Sequence, residues 1–341
     1  MKTITEDLLS SYLAARFPDW SGVAASNLER LPMGASRETF RFDLAYTDAD
    51  GAHRERVILR RDPPLSNVDS DRRHEYESYR AIYGQGIPVP RMILLEEDPA
   101  HFGGAISLAE DLRGFHNSEY QLQEPAWADR LPRIADEMWS TLGRLAAVPC
   151  ENLDLSFMTH ATPATTAMQE LDHWEGQLDA NDVGPEPIIR AVIRWLRRNP
   201  PPPAQKLAMV HGDYRAGNFL YDDAGKLIAV LDWEMAHMGD PLEDLAWSMA
   251  RVFSFGKDDR RSGVAPREEA IRIWEAASGL TVDPHAMRWW ELAMCVKGQA
   301  IWDSCVHAWS SVDEPTVIHA YAAWWLRNAQ DRAALELMGK L

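Results

Sequence analysis

The stretch 207–234, LAMVHGDYRAGNFLYDDAGKLIAVLDWE, constrains this chain more than any other. A short apolar run leads into His211-Gly212-Asp213, and Asn218 follows five residues after Asp213. Residues 219–221 and 227–231 read as a hairpin turning through Asp222-Asp223-Ala224-Gly225, and Asp232 ends its second strand. Strand ends and short loops are where functional side chains collect. A carboxylate there can accept a hydroxyl proton. An amide oxygen and a second carboxylate are the hard oxygen donors that Mg²⁺ takes.

The flanking pattern divides the chain. Thr3 and Glu6 form a capping box ahead of Leu8, Leu9, Tyr12 and Leu13, which predicts an opening amphipathic helix ended by Pro18. From about residue 27 the period shortens. Phe40, Phe42, Leu44 and Tyr46 alternate with Arg41, Asp43 and Ala45, and residues 56–60 return as a second strand after the turn at 48–51. A helix is expected over 72–84, then strands over 91–96 and 105–109. Beyond Gly114 helices dominate, over 125–147 with Pro132 delaying or kinking the start, then 165–179, 186–198, 285–307 and 315–338. The expected fold class is α+β, with a small antiparallel-sheet lobe (1–110) followed by a large, mainly helical lobe (111–341).

Composition narrows the function. The 35 Lys and Arg against 52 Asp and Glu give a net charge of −17, which repels phosphate backbones and excludes a nucleic-acid partner. Three widely spaced cysteines, Cys150, Cys295 and Cys305, do not make a disulfide framework. No apolar run approaches the roughly 18 residues of a membrane span, and acids stand where a signal peptide has its apolar core. A cytoplasmic protein without a membrane partner is expected.

The spacing Asp213-x-x-x-x-Asn218 with the later Asp232 is that of a kinase catalytic loop and its metal-binding aspartate. His211-Gly212-Asp213-Tyr214-Arg215-Ala216-Gly217-Asn218, then Leu231-Asp232-Trp233-Glu234, then Gly239-Asp240-Pro241-Leu242-Glu243-Asp244-Leu245-Ala246 resembles the aminoglycoside phosphotransferase family. Within it, the chain is most similar to the branch of kinase-like domains fused to acyl-CoA dehydrogenases. The resemblance implies a protein-kinase-like two-lobed fold and ATP-dependent phosphoryl transfer to the hydroxyl of a small molecule. It makes Asp213 the catalytic base, Asn218 and Asp232 the Mg²⁺ ligands, and His211 a support of the loop. Arg60 takes the place of the usual phosphate-binding lysine, with Arg61 as alternate. Glu75 becomes its helix partner, with Glu77 as fallback. Gly34 and Ser36 fall in the phosphate loop, which has one glycine where three are usual. Backbone groups near Ala109 and Glu110 would meet the adenine, with Leu108 lining its slot. ATP or GTP fits this pattern. A metabolic alcohol or hydroxyacyl-CoA is favoured as acceptor over an aminoglycoside, and a non-catalytic nucleotide-binding module is the remaining alternative.

Other residues have plainer readings. Asp240 before Pro241 is an N-cap. Arg215 is as suited to a salt bridge as to a phosphate. Trp289, Trp290, Trp302, Trp309, Trp324 and Trp325 are expected to pack in the core, and Lys297 and Arg327 to be surface charges.

Overall fold

The structure is a computed structural model that describes residues 2–31, 38–62, 72–254, 256, 259–311 and 317–341. It divides into two compact units, 1–115 with 229–234, and 116–228 with 235–341. The boundary therefore lies five residues beyond the expected one, and a six-residue piece that includes Asp232 belongs to the first unit.

The first unit is built on a five-stranded antiparallel sheet in the order β1-β2-β3-β5-β4. Helix α1 (Glu6–Arg16) precedes β1 (Ser21–Arg30), β2 (Glu38–Asp48) and β3 (Gly51–Arg61). Then come α2 (Arg72–Ile82), β4 (Met92–Glu96), the one-turn α3 (Pro99–Phe102) and β5 (Ile106–Glu110). The cap of α1 is Thr5, whose hydroxyl accepts from Leu8 N–H, and not Thr3. Glu6 instead accepts from the Leu28 N–H of β1, at 2.9 Å. Strand β1 begins earlier than the sequence pattern shows, because an edge strand buries little and this one is interrupted by register shifts. Alternation sorts β3 cleanly. Val57 and Leu59 enter a core with Phe40, Phe42, Leu44, Ile106 and Leu108, and Arg60 points to the other face.

The second unit carries α4 (Leu131–Ala147), α5 (Thr166–Asn181), α6 (Pro187–Arg198), β6 (Ala208–Val210), β7 (Phe219–Tyr221) and β8 (Leu227–Val230). Next are β9 (His237–Gly239), α7 (Pro241–Ser248), α8 (Arg267–Ser278) and α9 (Pro284–Ser311). The chain closes with α10 (Val317–Tyr321), a π-helical turn over Ala322–Leu326, and α11 (Arg327–Leu337). Pro132 sits in the first turn of α4, where its missing N–H costs no helical bond. The long α9 packs on α5, α6, α7 and α11. All eight residues of α7 are buried, which makes it a fixed post beside the loop that follows β6. No helix among the described residues is long and apolar enough to cross a membrane.

Candidate active site

The loop 211–218 connects β6 to β7 and is tied down from three sides. Asp244 of α7 accepts both the His211 and the Gly212 N–H, at 2.6 and 2.9 Å. His211, fully buried, accepts the Asp213 N–H at its Nδ1, at 3.1 Å, so a neutral ring carries its proton on Nε2. Tyr214 is fully buried and donates its hydroxyl to the Met138 carbonyl of α4 at 2.7 Å. Gly212 has φ +81°, and a Cβ there would lie 2.3 Å from the Met235 carbonyl oxygen, so only glycine fits.

These restraints aim the Asp213 carboxylate. Its Oδ1 accepts the Trp247 indole N–H at 2.7 Å, and its Oδ2 accepts the Asn218 amide at 2.7 Å. Arg215 Nε lies 3.3 Å from Oδ1, and the same guanidinium pairs with Glu119 at 2.9 Å. Arg215 is therefore a salt-bridge partner on two sides. Asn218 spends its amide nitrogen on Asp213, including the backbone oxygen at 2.9 Å, which leaves Oδ1 as the atom it can offer a ligand.

The first unit holds the second set. Arg60, half-buried, pairs with Glu75 of α2, and its other terminal nitrogen lies 3.6 Å from Asp232 Oδ1. Burial opposes the Arg60 charge, but Glu75 and Asp232 outweigh it and hold the guanidinium more firmly protonated. Glu75 is buried and also receives Arg72, at 2.8 Å. Asp232 has φ 69°, a left-handed backbone that few non-glycine residues adopt, and its N–H donates to the Tyr79 hydroxyl at 2.8 Å. Its Oδ1 is buried without a hydrogen-bond partner. A strained backbone that presents an unsatisfied carboxylate oxygen is a feature functional sites keep. The oxygen that Asp232 leaves without a hydrogen bond is a hard donor of the kind Mg²⁺ takes, and in the second unit the Asn218 amide oxygen is another.

Several expectations change. Arg61 is excluded as the phosphate cation, since it is buried against Glu38 at 2.8 Å and the Phe102 carbonyl at 2.8 Å. Glu77 turns to Arg80 at 3.0 Å, not to Arg60. Leu108 does not line a slot. It pairs with Leu59 on the core face and is fully buried there, so Ala109, opposite Ile58, shares the Arg60 face instead. The Glu110 N–H is committed to the Arg91 carbonyl at 3.0 Å, which removes that donor from any adenine contact. Gly34 and Ser36 lie outside the described residues.

Lys297 and Arg327 are not free surface charges. Lys297 is fully buried with Glu243 at 2.9 Å, and Arg327 pairs with Asp303 at 2.6 Å and Glu186 at 2.5 Å. Trp289 and Trp290 are core residues as expected, but Trp324 and Trp325 are more than half exposed. Asp240 caps α7 through Leu242 N–H. Sequence reasoning missed Trp247 and Glu119 as neighbours of the loop. Glu119 carries no local signal. Trp247 does: Asp240, Asp244 and Trp247 fall on one stripe of α7, at i, i+4 and i+7.

Acyl-CoA dehydrogenase family member 11 of Gallus gallus is 27% identical over 251 residues, which are 72% of this chain and 31% of that protein. The chain thus spans about a third of that relative's length. A proposed aminoglycoside phosphotransferase of Ralstonia eutropha JMP134 superimposes with a TM-score of 0.74 at 18% identity, covering 98% of each chain. A thermostable mutant of aminoglycoside phosphotransferase APH(4)-Ia, in ternary complex with AMP-PNP and hygromycin B, gives a TM-score of 0.56 at 18% identity over 96% of this chain and 97% of that one. The fold is the protein-kinase-like two-lobed α+β fold. Residues 27–290 match the profile of the phosphotransferase enzyme family, and the chain belongs to that family.

Proposed function

We propose that this phosphotransferase moves the γ-phosphoryl group of ATP to a hydroxyl of a small metabolic molecule. The observation that carries the reading is the Asp213 carboxylate, oriented by Trp247 and Asn218 in a loop that Asp244 holds by its backbone. In this reading the acceptor oxygen attacks the γ-phosphorus and its proton passes to Asp213. The bond from that phosphorus to the β–γ bridging oxygen breaks, and ADP leaves. Asn218 and Asp232 would hold Mg²⁺, which when bound would neutralise charge on the phosphates. Arg60, fixed by Glu75, steadies phosphate oxygens, though its planar fork differs from the compact ammonium of a lysine. His211 supports the loop and touches no reacting atom. Catalysis is then positioning and electrostatics.

ATP as donor is supported by the AMP-PNP complex of the APH(4)-Ia relative in fold. The acceptor we favour is a hydroxyacyl-CoA or similar metabolic alcohol, supported by the likeness to acyl-CoA dehydrogenase family member 11. The hygromycin B complex makes an aminoglycoside the second reading. A coupled ADP-release screen against hydroxyacyl-CoAs, amino sugars, choline-like alcohols and aminoglycosides tests the proposal. One class should raise ADP release well above the rate with MgATP alone, and Asp213→Ala should abolish that rise. An Asp213→Ala protein that keeps the parental rate with its acceptor defeats the assignment.

A further inference from the structure

Beneath the Asp213 loop lies a buried group of charges that phosphoryl transfer does not by itself require. Glu243 of α7 and Lys297 of α9 form a fully buried pair at 2.9 Å. His237 of β9 brings Nε2 to 3.0 Å from Glu243 and 3.5 Å from Glu170 of α5, and its Nδ1 faces the Met235 carbonyl at 3.0 Å. Glu170, His237 and Glu243 have the spacing of a metal trio. Charge argues otherwise. Burial works against the His237 cation, yet Glu243 and Glu170 push its pKa up to about 10. With Lys297 on Glu243 and His237 between Glu243 and Glu170, both carboxylates already face a cation.

The quartet has an outlet. The Lys297 ammonium lies 5.2 Å from the centre of the Trp247 ring and 5.4 Å from that of Trp174. A cation over an indole face draws electron density from the ring, which makes the indole N–H a stronger donor. That N–H is the one on Asp213 Oδ1, at 2.7 Å. Phe253 closes the side of the indole edge-on, with ring centres 5.2 Å apart. Trp247 is buried to the last per cent, so the donor side of its hydrogen bond is held in the protein interior. Among the described residues, Asn218 and the more distant Arg215 are the other side chains on that carboxylate.

We infer that Trp247 is a positioning residue whose indole N–H, polarised by Lys297, fixes the Asp213 carboxylate in the orientation from which it takes a proton. The inference rests on Asp213 being the base, and its test separates the two. The full chain labelled with ¹⁵N-tryptophan has fourteen indole N–H groups. Trp247→Phe identifies one signal by its loss. Asp213→Asn should move that same signal while the Trp289 and Trp290 signals, on core helix α9, stay in place. A Trp247 signal unmoved by Asp213→Asn overturns the contact, whatever the enzyme does.

The kinetic arm uses MgATP turnover with the acceptor found in the screen, or with water as acceptor if the screen finds none. Trp247→Phe should lower kcat about 10- to 100-fold with the KM for MgATP within about twofold, the signature of a misplaced catalytic group. Trp247→His, which restores a ring N–H, should recover part of the loss. A parental kcat in Trp247→Phe, or a loss of kcat matched by a rise in KM, overturns the positioning role. If Asp213→Ala retains turnover while the indole signal still reports the contact, what fails is the base assignment and not the contact.

Discussion

Two of the buried charge sets among the described residues, one in each unit, are finished to different degrees. In the second unit, Glu170, His237, Glu243 and Lys297 match two anions with two cations, and Glu243 and Lys297 are wholly out of solvent. In the first, Arg60 remains 30% exposed, Glu75 is shared between two arginines, and Asp232 keeps a buried oxygen without a hydrogen-bond partner on a strained backbone. The closed set already pairs each of its charges with an opposite one. The open one has unsatisfied valence held in place by neighbours that are themselves satisfied. Burial and charge alone do not separate a structural cluster from a binding one. What separates them is whether the last oxygen has been used.

The largest contrast should come from deleting one cation in each set. Lys297→Met strands Glu243 in a dry site with only His237 beside it, and removal of one partner of a buried pair costs about 3–5 kcal/mol. Arg60→Met should cost far less, because Glu75 keeps Arg72 at 2.8 Å. Urea unfolding of both variants checks this. Equal losses would mean that the first set is as much a structural support as the second.

A smaller effect is expected from pH. His237 titrates at 6.5 when free and near 10 in the fold. Its folded value is raised, so the stabilisation is fully present below pH 6.5 and disappears as pH climbs through about 10. On the acid side Glu243 is lowered from 4.5 to about 2, so its contribution holds above 4.5 and is lost as pH falls through about 2. Burial opposes the Glu243 charge, and Lys297 ahead of His237 lowers its pKa, so the two shifts share the His237 pairing in part and do not simply add. Stability should fall by on the order of 3 kcal/mol between pH 7 and 10, and His237→Gln should flatten that slope. A parental slope in His237→Gln would place the alkaline transition elsewhere.

What the sequence disclosed, and what it withheld, follows from range. The placement of Asp213 and Asn218 in one loop and of Asp232 just past a hairpin strand was legible, because a strand, a loop and a hairpin fix each relative to nearby residues. The choice between Arg60 and Arg61 was not legible. One residue turns a strand side chain to the other face, and only the sheet's core side, made by α1 and its neighbours, says which face is which. The same rule misplaced Leu108. Lys297 was misread for want of its partner, 54 residues away in Glu243. The Trp247 contact spans 34 residues, although the stripe it shares with Asp240 and Asp244 was there to be read. A lysine among tryptophans on a long helix looks the same in sequence whether it faces solvent or a buried glutamate.

The smallest effect is the one that tests the open set most directly. Asp232 combines a left-handed backbone with a buried carboxylate oxygen that accepts no hydrogen bond. Asparagine tolerates that backbone more readily than most residues, and it carries no charge to leave unsolvated. Arg60 loses an ion-pair partner at 3.6 Å but retains Glu75. Asp232→Asn should therefore stabilise the ligand-free protein, by about 0.5–1 kcal/mol, or roughly 1–3 °C in Tm for a chain of this size. The same change should shrink the rise in Tm that MgATP produces, because a carboxylate offered to Mg²⁺ has become an amide. The two shifts run in opposite directions, so thermal melts with and without MgATP separate them. A lower Tm in the ligand-free variant would mean that the Asp232 charge already supports the first unit through Arg60. The strain at φ 69° would then serve the fold, and the contrast between an open and a closed set would lose its basis.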